Sequence, residues 1–133
     1  MATVAATKSG VSPEQVGQSN WFGEMSHVQW TLANGDDGTP VSFAEFSDRS
    51  IQFTGTFGAG GSIQLEGSND LTSPTNWFVL TDYQGNNIVK TAAAFEGVEE
   101  PSVWVRPRVT AGDGTTALVA KLYCRRPRGR ASI

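Results

Sequence analysis

The chain has 133 residues, 38% apolar and 17% charged, which suits one domain with one hydrophobic core and not a disordered chain. No apolar run approaches the ~20 residues that span a bilayer, and the N-terminus lacks the basic start and apolar stretch of a signal peptide. Synthesis and assembly in cytoplasm are expected, and the lone Cys124 agrees. The net charge of −3 conceals a polarity: residues 1–120 carry a net −8, whereas residues 121–133 carry +5.

Residues 1–20 are rich in Ala, Ser, Thr, Gly and Gln and show little apolar periodicity. Ser12-Pro13-Glu14-Gln15 is the one local cue, a possible single helical turn. The segment reads as an N-terminal arm that contacts another subunit rather than its own core. Residues 21–124 then form a series of short strand-like runs, followed by a basic tail over 125–133.

The first run, His27 to Leu32, alternates with Val28, Trp30 and Leu32 on one face. The turn signal Asn34-Gly35-Asp36-Asp37-Gly38 follows, and residues 40–46 read as an edge strand because they open with proline. Ser50-Ile51-Gln52-Phe53-Thr54-Gly55 and Ser62-Ile63-Gln64-Leu65-Glu66-Gly67 both alternate. Their link, Gly58-Ala59-Gly60-Gly61, reads as a hairpin connection. Residues 76–81 are nearly continuous in apolar character, which predicts a strand covered on both faces with Trp77 in the core.

Residues 88–91 are strand-like, and Ala92-Ala93-Ala94-Phe95-Glu96 fits either a helical turn or a strand entering a bend. Residues 103–110 alternate strictly. Val103, Val105, Pro107 and Val109 face one way, and Trp104, Arg106, Arg108 and Thr110 the other. Pro107 cannot donate a ladder hydrogen bond, so its amide side must be unpaired or bulged. Residues 116–124 form the last strand.

Short strands at regular spacing, without strand–helix–strand alternation, predict an all-β fold. We expect an antiparallel β-sandwich, jelly-roll-like, with an extended N-terminal arm and a short C-terminal tail. The expected core comprises Val28, Trp30, Ile51, Phe53, Ile63, Leu65, Val79, Val103, Val105, Val109 and Leu122.

Catalytic chemistry would have to run through His27, the single histidine, and nothing in the pattern places Cys124 or a serine beside it. Zinc would lean mostly on carboxylates. Asp36-Asp37-Gly38 and Asn69-Asp70 lack the spacing of a calcium loop and are explained by turn chemistry. No enzyme activity, metal or cofactor is expected.

Trp104, Arg106 and Arg108 on one outward face have the composition of a protein-interface patch, and Trp21-Phe22 precedes the first clear strand. The tail arginines Arg125, Arg126, Arg128 and Arg130 find no acidic neighbour in sequence and are expected to bind an acidic patch on a neighbouring subunit. The acidic body argues against a nucleic-acid partner.

Three stretches resemble small structural proteins of tailed bacteriophages. They are Phe53-Thr54-Gly55-Thr56-Phe57-Gly58-Ala59-Gly60-Gly61-Ser62-Ile63-Gln64-Leu65-Glu66-Gly67-Ser68-Asn69-Asp70, Asn76-Trp77-Phe78-Val79-Leu80-Thr81-Asp82, and Val105-Arg106-Pro107-Arg108-Val109-Thr110-Ala111-Gly112-Asp113-Gly114-Thr115. The likeness is greatest to capsid decoration, or cement, proteins. It covers residues 50–124 and omits the arm and the tail.

The resemblance implies a β-sandwich on the capsid exterior of a virion. Such a protein binds the major capsid protein or other virion subunits as a homo-dimer or homo-trimer. A head–tail adaptor or tail component is a near relative of that reading. Gly67-Ser68-Asn69-Asp70 followed by Asn76-Trp77 also resembles pieces of discoidin-like and carbohydrate-binding sandwiches, although Leu71-Thr72-Ser73-Pro74 stretches the turn. A carbohydrate-binding module is therefore the alternative. It needs two or three exposed aromatics, for which the pattern offers Trp104, Trp21 and Tyr123.

Overall fold

A computed structural model describes residues 3–5, 7–10, 25–43 and 46–126. Among them there is no helix. The strands in chain order are β1 (Thr3–Val4), β2 (Thr7–Gly10), β3 (Met25–Ala33), β4 (Asp37–Gly38), β5 (Asp48–Thr56), β6 (Ser62–Ser68), β7 (Phe78–Val79), β8 (Val89–Lys90), β9 (Ala94–Val98), β10 (Trp104–Ala111) and β11 (Ala117–Arg125).

They form two sheets. The first runs β1-β4-β10-β6-β7, with β8 also on β6; the second runs β2-β3-β11-β5-β9. Every pairing is antiparallel except β1 on β4. From β3 to β6, and again from β8 to β11, the chain changes sheet at each step. The protein is thus an antiparallel β-sandwich of jelly-roll-like winding.

Period-2 alternation builds the core, because each strand presents every second side chain to the facing sheet. Val28, Trp30, Ile51, Phe53, Ile63, Leu65, Val105, Val109 and Leu122 are all buried, and Leu32, Val41, Leu80, Ile88, Val98, Leu118, Ala120 and Cys124 complete the cluster. Trp30 Nε1 donates to Thr39 O at 3.0 Å, so the indole loses no hydrogen bond on burial. Truncating such a side chain to alanine costs about 2–5 kcal/mol. A Cβ at Gly38 would come within 2.6 Å of the Trp30 ring and 2.7 Å of Pro107, so only glycine fits there.

Several expectations are corrected. Val79 and Val103 are half-buried, since one lies on a two-residue edge strand and the other just ahead of β10. The stretch 76–81 contributes only β7. Trp77 lies outside the core, and Phe78 is exposed. The described residues of the stretch 40–46 contribute one bridge, Val41 to Val105, rather than a strand. Of the two readings left open for residues 92–96, the strand is the one found, as β9.

The glycine link 58–61 is no hairpin, because β5 and β6 belong to different sheets. It arches over the end of the sandwich beside the β10–β11 link. Asp113 Oδ2 accepts from Ala59 N at 2.9 Å, and Thr116 Oγ1 donates to Phe57 O at 2.8 Å, which ties the two arches together. Hydrogen bonds from the Thr115 hydroxyl and from the amides of Ala59 and Thr115 hold the Asp113 carboxyl down at about 2.

The arm is also read differently. Residues 3–4 pair with β4 and residues 7–10 with β3, so they extend one edge of each sheet. Thr39 N donates to Val4 O at 2.7 Å, and Val4 packs against the core. Main-chain pairing holds this segment without the large apolar side chains whose scarcity suggested a detached arm. The turn at Ser12, together with Trp21 and Phe22, lies outside the described residues, as do Arg128 and Arg130.

Pro107 behaves as its chemistry requires. Val105 N donates to Val41 O and Val109 N to Asp36 O on the β4 side of β10. The alternation points the missing donor of Pro107 to that same side, where the pairing is interrupted. Arg49 was not foreseen as a core residue. It enters the interior from β5, and its guanidinium donates to Phe46 O at 2.8 Å, Phe43 O at 2.9 Å and Ser102 O at 2.8 Å. One buried cation thereby ties Phe43, Phe46 and Ser102 to the sandwich.

Candidate functional site

The outer face of the first sheet holds the expected patch. Trp104, Arg106 and Arg108 do share it, but they are already engaged. Arg106 stands opposite Glu66 in the ladder. Its Nε donates to Glu66 Oε1 at 2.8 Å, and its Nη1 lies 3.4 Å from Asp37 Oδ2. Its guanidinium carbon sits 4.2 Å from the centre of the Trp77 ring, a cation–π contact. Arg108 Nη1 reaches Glu66 Oε2 at 3.7 Å, and Gln64 Nε2 donates to the same oxygen at 2.5 Å.

Trp104 is half-buried, and its Nε1 donates to Asp70 O at 2.7 Å. Asn69 Oδ1 accepts from Val103 N at 2.9 Å, while Asp70 Oδ2 accepts from the amides of Thr75 and Asn76. These amide bonds lower the Asp70 pKa. The loop 69–76 is thereby pinned across the sheet. Arg106, Arg108 and Glu66 thus engage one another on this face, while Asp37 Oδ1 is buried with no hydrogen-bond partner among the described residues.

The tail arginines that are described also have partners at home. Arg125 Nε lies 3.5 Å from Asp48 Oδ2, and the Arg126 guanidinium lies 6.0 Å from the Phe46 ring centre. Sequence order hid the first pair, because Asp48 and Arg125 meet only through the β5–β11 register.

The outer face of the second sheet is different. Across β9, β5 and β11, Gly97, Ser50 and Tyr123 form one transverse row. The row on one side holds Phe95, Gln52 and Lys121, and that on the other holds Asp48 and Arg125. Ser50 and Gly97 are small, so the middle row is a floor between taller side chains. Tyr83, from the loop after β7, lies against Gly97: a Cβ there would fall 2.3 Å from Tyr83 Cε2. The result is an open recess of about 390 Å³ lined by Tyr83, Phe95, Tyr123, Ser50, Asp48 and Arg125 among others. Tyr83 and Phe95 remain 63% and 66% exposed.

Of these residues the sequence pattern had singled out Tyr123 and Arg125 alone. The alternation of residues 117–125 marks both as outward, but nothing local places Tyr83 or Phe95 beside them. His27 lies next to Tyr123 in the ladder, on the outer face, and its pKa is lowered by partial burial and by nearby Lys121. Cys124 projects into the core, where burial pushes its thiol up to about 12. The two stand on opposite faces of one sheet and cannot act as a pair.

No family model matches the chain, and no curated protein matches it. Among solved structures it is similar to the cysteine peptidase Peruvianin-I from Thevetia peruviana latex, at 13% identity and a TM-score of 0.45, over 91% of this chain and 61% of that one. It is similar to a cupin domain from Bordetella pertussis at 12% identity and a TM-score of 0.41, over 95% of this chain and 96% of that one. A third likeness is to a carbohydrate-binding module of Cellvibrio mixtus lichenase 5A in complex with cellotriose. It has 15% identity and a TM-score of 0.32, over 77% of this chain and 79% of that one. The chain thus spans about three-fifths of the peptidase's length, and no activity or ligand is carried over from these likenesses.

Proposed function

We propose that this chain is a non-catalytic structural subunit of a bacteriophage virion. In this reading it is made in the host cytoplasm and binds the major capsid protein on the shell exterior, as a decoration or cement protein does. The observation that carries the reading is the β7–β8 edge of the first sheet. Phe78 of β7 is 70% exposed, Val89 of β8 is exposed, and Leu71, in the loop that leads into β7, is 81% exposed. Large apolar side chains left in water along a sheet edge favour a protein partner that covers them.

The sequence resemblance over residues 50–124 points the same way. The opposed faces of His27 and Cys124 agree with a protein that works by contact. Repetition of a modest interface around a symmetric shell supplies avidity. The net −8 of residues 1–120 disfavours nucleic acid as the partner.

Co-sedimentation with phage heads that lack the chain tests this reading. The wild-type protein should saturate the heads, and the Leu71→Asp/Phe78→Asp double variant should keep its melting temperature while occupancy falls at least about tenfold, a loss of ~1.4 kcal/mol. Failure of the wild type to bind, or unchanged binding by the double variant, would overturn it.

A further inference from the structure

We infer that the recess on the outer face of the second sheet, walled by Tyr83, Phe95 and Tyr123 and flanked by the Asp48–Arg125 pair, binds a neutral saccharide. This site is separate from the β7–β8 edge and does not depend on the virion reading.

The walls come first. A pyranose ring presents C–H groups on its faces and hydroxyls around its rim, so it is held by aromatic faces together with in-plane donors and acceptors. Tyr83 is seated against the Gly97 backbone on one side and is otherwise largely exposed. Its position is set before any ligand arrives, which lowers the ordering cost of binding. Phe95 projects from the same face of β9 as Gly97, and Tyr123 stands across Ser50 from it. Tyrosine adds a hydroxyl at the rim of each platform it supplies.

The polar groups decide the ligand's charge. Asp48 and Arg125 lie 3.5 Å apart and are both about half-exposed. Arg49 also lines the recess, but its guanidinium is turned inward onto the carbonyls of Phe43, Phe46 and Ser102. Asp48 and Arg125 therefore supply the accessible polar groups, a carboxylate acceptor and a planar donor fork of opposite charge, which suits neighbouring hydroxyls better than a phosphate or an amine. The volume of about 390 Å³ lies near the lower end of ligand sites, which span roughly 300–1,000 Å³. Its open form suits one or two sugar units of a longer chain.

The test uses a convenience of the composition. The chain has two tyrosines, and both line the recess. With ring-labelled tyrosine in the full chain, both tyrosine NMR signals report on this site. Maltotriose, cellotriose and tri-N-acetylchitotriose are titrated to about 10 mM, above the ~1 mM dissociation constant expected of a shallow site. At least one should shift both signals saturably.

Ser50→Trp, which fills the floor, should weaken that response at least tenfold. Gly97→Ala, which displaces Tyr83, should weaken it severalfold. Leu71→Asp/Phe78→Asp should bind the sugar as the wild type does, even where it no longer binds heads. The inference falls if none of the three sugars shifts the tyrosines or if both recess variants respond like the wild type. It also falls if inorganic phosphate shifts them and the sugars do not.

Discussion

The two outer faces of the sandwich are built from the same alternating pattern and end in opposite states. On the first sheet, the outward residues Glu66, Arg106, Arg108 and Asp37 are of opposite sign and pair with one another, with only Asp37 Oδ1 left unpartnered among the buried side-chain atoms described. On the second sheet, Gly97 and Ser50 are small members of the row that ends in Tyr123, and the recess lies over them among Tyr83, Phe95 and Tyr123. Outward charge is therefore a poor guide to an interface. What matters is whether the neighbouring strand supplies the partner.

The largest expected effect lies in the closed face. Arg106→Ala leaves the buried Glu66 carboxylate without its 2.8 Å partner and uncovers Trp77, and it should cost about 2–4 kcal/mol in chemical denaturation. Pairing Arg106→Met with Glu66→Gln should restore a substantial part of that loss, because the uncompensated charge is then gone. A loss under about 0.5 kcal/mol for Arg106→Ala would mark the network as ordinary surface charge.

The open face should respond far less. Asp48→Asn breaks a half-exposed pair and should cost about 0–1 kcal/mol, vanishing in high salt. A salt-independent loss of several kcal/mol would mean that the pair holds the sheet together rather than edging a recess.

The smallest effect is in pH dependence. His27 titrates below its ordinary value of 6.5 in the folded state, so the unfolded chain takes up its proton first as pH falls. Stability should decline as pH drops through 6.5 and level off below the folded value. In His27→Gln this slope should be missing between pH 7 and the point of levelling. An identical slope in wild type and variant would place the titrating group elsewhere.

Much of the core was legible. Val28, Trp30, Ile51, Phe53, Ile63 and Leu65 were assigned inward from alternation alone, because a strand with one wet face must alternate. The link at 58–61 was misread because a glycine-rich connection suits a hairpin and an arch equally; only the pairing partners of β5 and β6 distinguish them. Trp77 was misplaced because an apolar run does not reveal that an arginine from another strand will stack on it. Arg49 gave no signal, since its three carbonyl partners belong to Phe43, Phe46 and Ser102.

The sequence by itself determined the class of fold, the inward set of most long strands and the polarity of charge, because these follow from local alternation and composition. Tertiary structure decided what each outward residue does. The register placed Glu66 opposite Arg106, brought Asp48 to Arg125, and set Ser50 and Gly97 side by side between Phe95 and Tyr123. Those neighbours lie tens of residues apart in the chain. Whether a charged or aromatic side chain is satisfied depends on the strand beside it, and that is fixed only when the two sheets close over their common core.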